Sequence, residues 1–308
     1  MPDPHRFAAQ IRPSASLTLF SALILVALAL MAGLAASPVV ADGPPPAATD
    51  FLGRPVSPAA PLNVLVIGDS LVGPLATEMG RLARRDGMLH VSRDFRVGSG
   101  LAYPPYFDWS SRLSYLLAAN GPEALVVSLG TNDILSMRRE GRVVAVGTPG
   151  WRQEYIDRIG TLMDLAQKGG TVMYWVCPPS MADPFRNETM VLVNEAIQEA
   201  ALTRPWVHVV DVWPLFTDEN GEYAGELPSR EGEWTQVRSN DGVHLTAAGA
   251  SWMANAVYEQ MQRDWDGVPY TPVHANYAAV EAVAQVEATP TPTPTPTPQP
   301  QPEKKKKK

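Results

Sequence analysis

The run Asn63-Val64-Leu65-Val66-Ile67-Gly68-Asp69-Ser70-Leu71 constrains the fold more than any other stretch of the chain. Residues 64–67 are four consecutive apolar positions, three of them β-branched. That is the composition of a strand buried on both faces, as in a parallel sheet. The run stops at Gly68, and helical spacing occupies residues 74–85. A serine at such a junction lies at the carboxyl edge of the sheet, where open α/β folds bind ligands. The helix beyond it points its amide-rich, partially positive end towards that serine. Position alone makes Ser70 a candidate nucleophile, although Gly-Asp-Ser is also ordinary turn chemistry.

The rest of the chain repeats the pattern. Strands are predicted over 90–97, 124–129, 171–177 and 206–210, and helices over 108–120, 151–168, 187–203 and 247–262, the last capped by Thr246. Strands alternating with helices of this length make βαβ units, so the fold class is α/β, a three-layer α/β/α domain over 61–265. Two longer segments interrupt the alternation, 136–150 (a hairpin by its apolar run Val143-Val144-Ala145-Val146) and 213–240. Both leave carboxyl ends of strands and are expected to wall a binding site.

The ends have other compositions. Residues 17–36 are almost uninterruptedly apolar, preceded by Arg6 and Arg12, and Val39-Val40-Ala41 offers small residues before Asp42. Residues 1–41 therefore read as a signal peptide or membrane anchor, with everything downstream outside the cytoplasm. The location expected is periplasmic or cell-envelope. Residues 42–60 form a proline-rich spacer, and 266–308 a C-terminal extension with five Thr-Pro repeats at 289–298 and a Lys304–Lys308 tail. The tail is either a contact for anionic envelope polymers or lipid head groups, or a solvated end. Of the formal net charge of −7, residues 1–41 hold +1 and 303–308 hold +4, leaving −12 on 42–302. So acidic a body repels phosphate backbones and argues against nucleic acid as a partner. The single cysteine, Cys177, rules out an intramolecular disulfide and reads as a small buried apolar residue.

Three loops carry one chemistry: Gly68-Asp69-Ser70-Leu71, Gly130-Thr131-Asn132-Asp133 and Asp241-Gly242-Val243-His244. A serine hydroxyl needs a base to take its proton, and His244 supplies one. The imidazole must be held in one tautomer, and Asp241 lies three residues away in the same loop. Attack on an ester leaves an oxyanion, which N–H groups of glycine turns and the Asn132 amide can stabilise. The remaining histidines, His5, His90, His208 and His274, show no metal-ligand spacing.

These blocks resemble those of the SGNH (GDSL) hydrolase superfamily over residues 61–262. Trp151-Arg152-x-x-Tyr155 and Asp241-Gly242-Val243-His244-Leu245-Thr246 look like an exported bacterial branch of it. The resemblance implies a flavodoxin-like parallel sheet and a serine esterase that needs no metal or organic cofactor. It implies Ser70 as nucleophile and first backbone donor, Asn132 as side-chain donor, and Asp241 and His244 as orienting acid and base. The glycine donor falls in Gly98-Ser99-Gly100, with Gly100 preferred and Gly98 the other candidate. The substrate implied is a small acyl ester, above all an O-acetyl group on an envelope or secreted polysaccharide. A lysophospholipid, a thioester or transfer of acetyl to a glycan is the nearest alternative, and a non-catalytic envelope-binding module the more distant one.

Overall fold

In a computed structural model of the chain, which describes residues 54–229 and 231–266, the apolar run at 64–67 lies inside a five-stranded parallel sheet. The expected leader or anchor, residues 42–53 of the spacer and residues 267–308 of the extension lie outside the described residues. Among the described residues no helix is long and apolar enough to cross a membrane.

The elements in order are β1 (Leu62–Gly68), α1 (Val72–Asp86), β2 (Leu89–Phe95), α2 (Trp109–Asn120), β3 (Ala124–Ser128), β4 (Met137–Arg139), β5 (Arg142–Val144), α3 (Pro149–Lys168), β6 (Val172–Val176), α4 (Pro184–Ala201) and β7 (Val207–Val210). A 3-10 turn (Trp213–Phe216), β8 (Glu226–Pro228), β9 (Trp234–Gln236) and α5 (Ala247–Asp266) complete them. The parallel sheet runs β2-β1-β3-β6-β7. Counting parallel strands alone, this is the 2-1-3-4-5 order of flavodoxin-like folds, whose connections diverge at β1 and β3 and open a crevice there. Gly68 is in register with Phe95 on one side and Ser128 on the other. Three loops therefore leave the sheet at one level, and they carry Ser70, Gly98–Gly100 and Asn132.

Strand alternation divides the core. Val64 and Val66 pack with Leu75 and Met79 of α1 and with Met253 and Val257 of α5. Leu65 and Ile67 pack on the other face with Leu113 of α2, Ile159 of α3 and Val193 of α4. Each such side chain, fully buried, contributes about 1.5–3 kcal/mol. Cys177 is part of the second cluster, and burial pushes its thiol well above the usual range.

Helix starts differ from the sequence expectation for a shared reason. α3 and α4 begin at Pro149 and Pro184, ahead of Trp151 and Asn187, because Thr148 and Asp183 cap them and proline occupies the first turn. α1 begins at Val72 because Asp69 takes up the adjacent N–H groups, Leu71 on its side chain and Val72 on its carbonyl. β2 ends at Phe95, short of Val97, where the Arg96 N–H reaches Gly68 O (3.0 Å) and the chain turns. The hairpin expected in 136–150 is β4–β5, and 213–240 contains a second one, β8–β9.

Candidate active site

Ser70 follows a strand end that only glycine can form. Gly68 has φ +145°, and a Cβ there would stand 1.9 Å from Ser128 O. The tight exit turns Ser70 towards the last loop, where His244 Nε2 lies 2.9 Å from Ser70 Oγ. Asp241 fixes the imidazole. Its Oδ2 is 2.7 Å from His244 Nδ1, while Oδ1 accepts the N–H groups of Val243 and His244, each at 2.9 Å. A carboxylate only accepts, so Nδ1 carries the proton and Nε2 presents a lone pair to the serine hydroxyl. The hydrogen bond to His244, reinforced by the two backbone N–H groups, holds the Asp241 carboxyl far below the usual carboxylate range. Yet Asp241 and His244 have half-exposed side chains, 50% and 44%. Solvent screens such a pair, so its value is orientation rather than attraction.

Arg238, which the sequence analysis did not single out, anchors this loop from below. It is 1% exposed and lies between the rings of Phe216 and Tyr223, 5.4 and 5.5 Å from their centroids. One Nη donates to Ser180 O (2.7 Å), the other to Val243 O (2.7 Å) and Gly242 O (3.4 Å). Burial lowers its pKa to about 10, which leaves it charged at neutral pH. The cation thus ties Gly242 and Val243, the residues between Asp241 and His244, to the β6–α4 connection.

The donor side is built on a buried carboxylate. Asp133 is 1% exposed and accepts the N–H groups of Leu101 (3.0 Å) and Ala102 (2.7 Å) and the hydroxyl of Tyr155 (2.7 Å). Gly100 lies against it, where a Cβ would come 2.2 Å from Oδ1, so the loop closes over Asp133 only with glycine at this position. Trp151 stacks on Tyr155 (4.9 Å between centroids, 13° between planes) and donates to Leu135 O (3.0 Å). The Trp151-x-x-x-Tyr155 spacing therefore buttresses the asparagine loop from α3. Asn132 Nδ2 donates one N–H to Ser99 O (2.9 Å), leaving the other available. Among the described residues no acceptor takes the N–H of Ser70, Gly98 or Gly100. Gly98, Gly100 and Asn132 line one cleft of about 140 Å³ with Tyr103, Tyr106 and Leu135. Neither 136–150 nor 213–240 supplies a residue to the lining of this cleft. The cleft is lined from 98–106 and 132–135; Arg139 of β4 instead pairs with Glu154 and Asp157 of α3, and Phe216 and Tyr223 support Arg238. With Asn132 as an oxyanion donor, Asn132→Ala should lower kcat on an activated acetyl ester by about 10²–10³. Retention of most turnover would remove Asn132 from that role.

Asp69 joins the serine loop to the asparagine loop. It is fully buried, accepts Leu71 N–H (3.0 Å) and is hydrogen-bonded by the Thr131 hydroxyl. Burial raises its pKa from 3.8 to about 6, against the lowering effect of those bonds. Between these values the folded state binds more protons than the unfolded one, so stability falls as pH rises through the window and stays lower above it. The difference amounts to about 3 kcal/mol. The stability of the wild type relative to Asp69→Asn should therefore decline by up to about that amount between pH 4 and 7 in denaturant titrations. Parallel stability–pH curves would show that Asp69 does not titrate there.

With Ser70 bonded to a histidine 174 residues away and oriented by its Asp-x-x-His partner, the sequence resemblance becomes a statement about the molecule. Fold and site have the arrangement of the SGNH (GDSL) class that the sequence resembles. The chain belongs to the family described as "Protein of unknown function (DUF459)", whose model matches residues 63–260. Several solved structures are similar in outline. Axe2, an acetylxylan esterase from Geobacillus stearothermophilus, solved as a catalytic mutant, is 17% identical, with 69% of this chain and 97% of that one covered at a TM-score of 0.46. LAE5, an alpha/beta hydrolase enzyme from the metagenome of Lake Arreo, is 16% identical, covering 67% and 95% at 0.48. A GDSL-like lipase from Bacteroides thetaiotaomicron is 14% identical, covering 70% and 95% at 0.43. No curated protein sequence matches the chain.

Proposed function

We propose that the protein is an exported serine esterase that removes small acyl groups, chiefly O-acetyl, from cell-envelope or secreted polysaccharide. The observation that carries the chemistry is the relay Ser70 Oγ–His244 Nε2 (2.9 Å) and His244 Nδ1–Asp241 Oδ2 (2.7 Å) at the carboxyl edge of β1. His244 takes the Ser70 proton as Oγ attacks the ester carbonyl, and the Ser70 N–H, Gly100 N–H and Asn132 amide hold the oxyanion. Collapse expels the alcohol, protonated by His244, and leaves an acyl-serine. Water, deprotonated by the same imidazole, then releases the carboxylic acid and restores Ser70.

The acyl preference is supported by the cleft. About 140 Å³ beside Gly100 and Asn132 suits an acetyl group rather than a long alkyl chain, and the exposed Tyr103 and Tyr106 give it an aromatic rim suited to sugar rings. Export is supported by the basic-then-apolar order of residues 1–41. The test is to compare acetate release from an O-acetylated polysaccharide with hydrolysis of p-nitrophenyl palmitate by the full-length protein. Acetyl release in clear excess is expected. A preference for palmitate would replace this reading with a lipid esterase, and acetyl consumed only with a glycan acceptor would replace it with a transferase.

A further inference from the structure

Arg96 stands where the serine loop, the glycine loop and the cleft meet. Its N–H binds Gly68 O (3.0 Å), two residues before Ser70, and its carbonyl accepts Ser99 N–H (3.1 Å) and Ser99 Oγ–H (2.7 Å). The backbone of Arg96 thus opens the turn that ends at Gly100. Its side chain is exposed, with the guanidinium 5.4 Å from the centroid of the Tyr106 ring. Tyr106 lines the cleft and is pinned by its own hydroxyl, which donates to Val97 O (2.9 Å). A guanidinium lying over a ring keeps its N–H edge free for a planar, two-oxygen acceptor.

The surrounding charges leave that edge unoccupied. Among the described residues no carboxylate pairs with Arg96, whereas neighbouring Asp94 is paired with Arg112. Asp133, the carboxylate among the cleft-lining residues, is buried and spent on Leu101, Ala102 and Tyr155. Arg93, also exposed, lies over Phe95 two residues along β2 and donates to Gly73 O (3.3 Å) and Thr77 Oγ1 (3.2 Å) of α1. In a body that carries −12 over residues 42–302, a cation held open at the mouth of the site is a selective feature.

We propose that the acylated glycan is acidic, and that Arg96 receives the carboxylate of a uronic-acid residue at or beside the acylated sugar. This rests on the esterase reading above and adds to it the charge of the substrate. The discriminating comparison is O-acetylated polygalacturonate against the same polymer with its carboxylates methyl-esterified, which keeps sugar and acetyl and removes the charge. With the full-length protein, the ratio of kcat/KM for the acid over the methyl ester should exceed unity by about tenfold at low salt and shrink as ionic strength rises. Arg96→Gln should bring that ratio close to one, whatever it does to turnover as a whole, and Arg96→Lys should fall between. A wild-type ratio near one, or a ratio that Arg96→Gln leaves unchanged, would overturn the assignment. Absence of Ser70-dependent acetate release from both polymers and from p-nitrophenyl acetate would instead remove the esterase reading, and this one with it.

Discussion

His244→Ala is expected to lower kcat on p-nitrophenyl acetate by about 10⁴–10⁶, leaving only the residual help of oxyanion donors and binding. The magnitude comes from the geometry. Nε2 is the acceptor within 2.9 Å of Ser70 Oγ, and without it the hydroxyl must attack with its proton in place. Asp241→Asn should be nearly as damaging, about 10⁴, because an amide facing Nδ1 favours the tautomer that puts the proton on Nε2. The pH dependence separates the two groups. The Asp241 carboxyl is held so low by His244 and the two backbone N–H groups that it stays ionised throughout the working range. The rise of activity with pH is therefore not owed to Asp241, and it should vanish from the residual rate of His244→Ala. A residual rate that kept the wild-type profile would place the base elsewhere.

The second large effect belongs to Arg238, which touches neither Ser70 nor the imidazole. Replacing it with methionine keeps most of its bulk between Phe216 and Tyr223 but leaves the carbonyls of Ser180 and Val243 without their 2.7 Å donors. Each unsatisfied buried acceptor costs about 1–3 kcal/mol, so Arg238→Met should lose about 2–5 kcal/mol of stability. Its Nε–H has no acceptor among the described residues, a cost the fold carries in order to hold this loop. At a temperature where the variant remains folded, kcat should also fall, because Val243 and Gly242 no longer fix the spacing of Asp241 from Ser70. KM should change less, since the cleft at Gly100 and Asn132 is built from other loops. Thermal unfolding and steady-state kinetics on the same preparation check both parts; unchanged values would show that the loop is held by its own hydrogen bonds.

The parts of this architecture legible in the sequence are those written in local order. A four-residue apolar run ending at glycine states a buried parallel strand, and Asp-x-x-His puts an orienting carboxylate one turn from its base. Trp151 and Tyr155 stood out as a pair, but their task, stacking beneath Asp133 and Leu135, exists only once α3 packs on the sheet. Asp69 and Asp133 look like turn residues because Gly-Asp and Asn-Asp are turn chemistry. Their burial comes from neighbouring loops and α3 closing around them, which no spacing reveals. Arg238 was illegible for a similar reason: Gln236-Val237-Arg238-Ser239 is a polar segment, and the carbonyls that collect the guanidinium come partly from Ser180, 58 residues away. Helix starts were missed where Thr-Pro and Asp-Pro pairs begin a helix ahead of its apolar spacing.

The measurement that bears most directly on the central claim is hydrolysis of p-nitrophenyl acetate by the full-length protein beside its Ser70→Ala variant, each shown to be folded by its thermal transition. Turnover in the wild type, reduced by about 10⁴ or more in the variant, is expected of a serine nucleophile served by His244. A folded wild type without activity, or a variant that keeps it, would contradict the assignment of Ser70 and with it the reading of this fold as a working esterase.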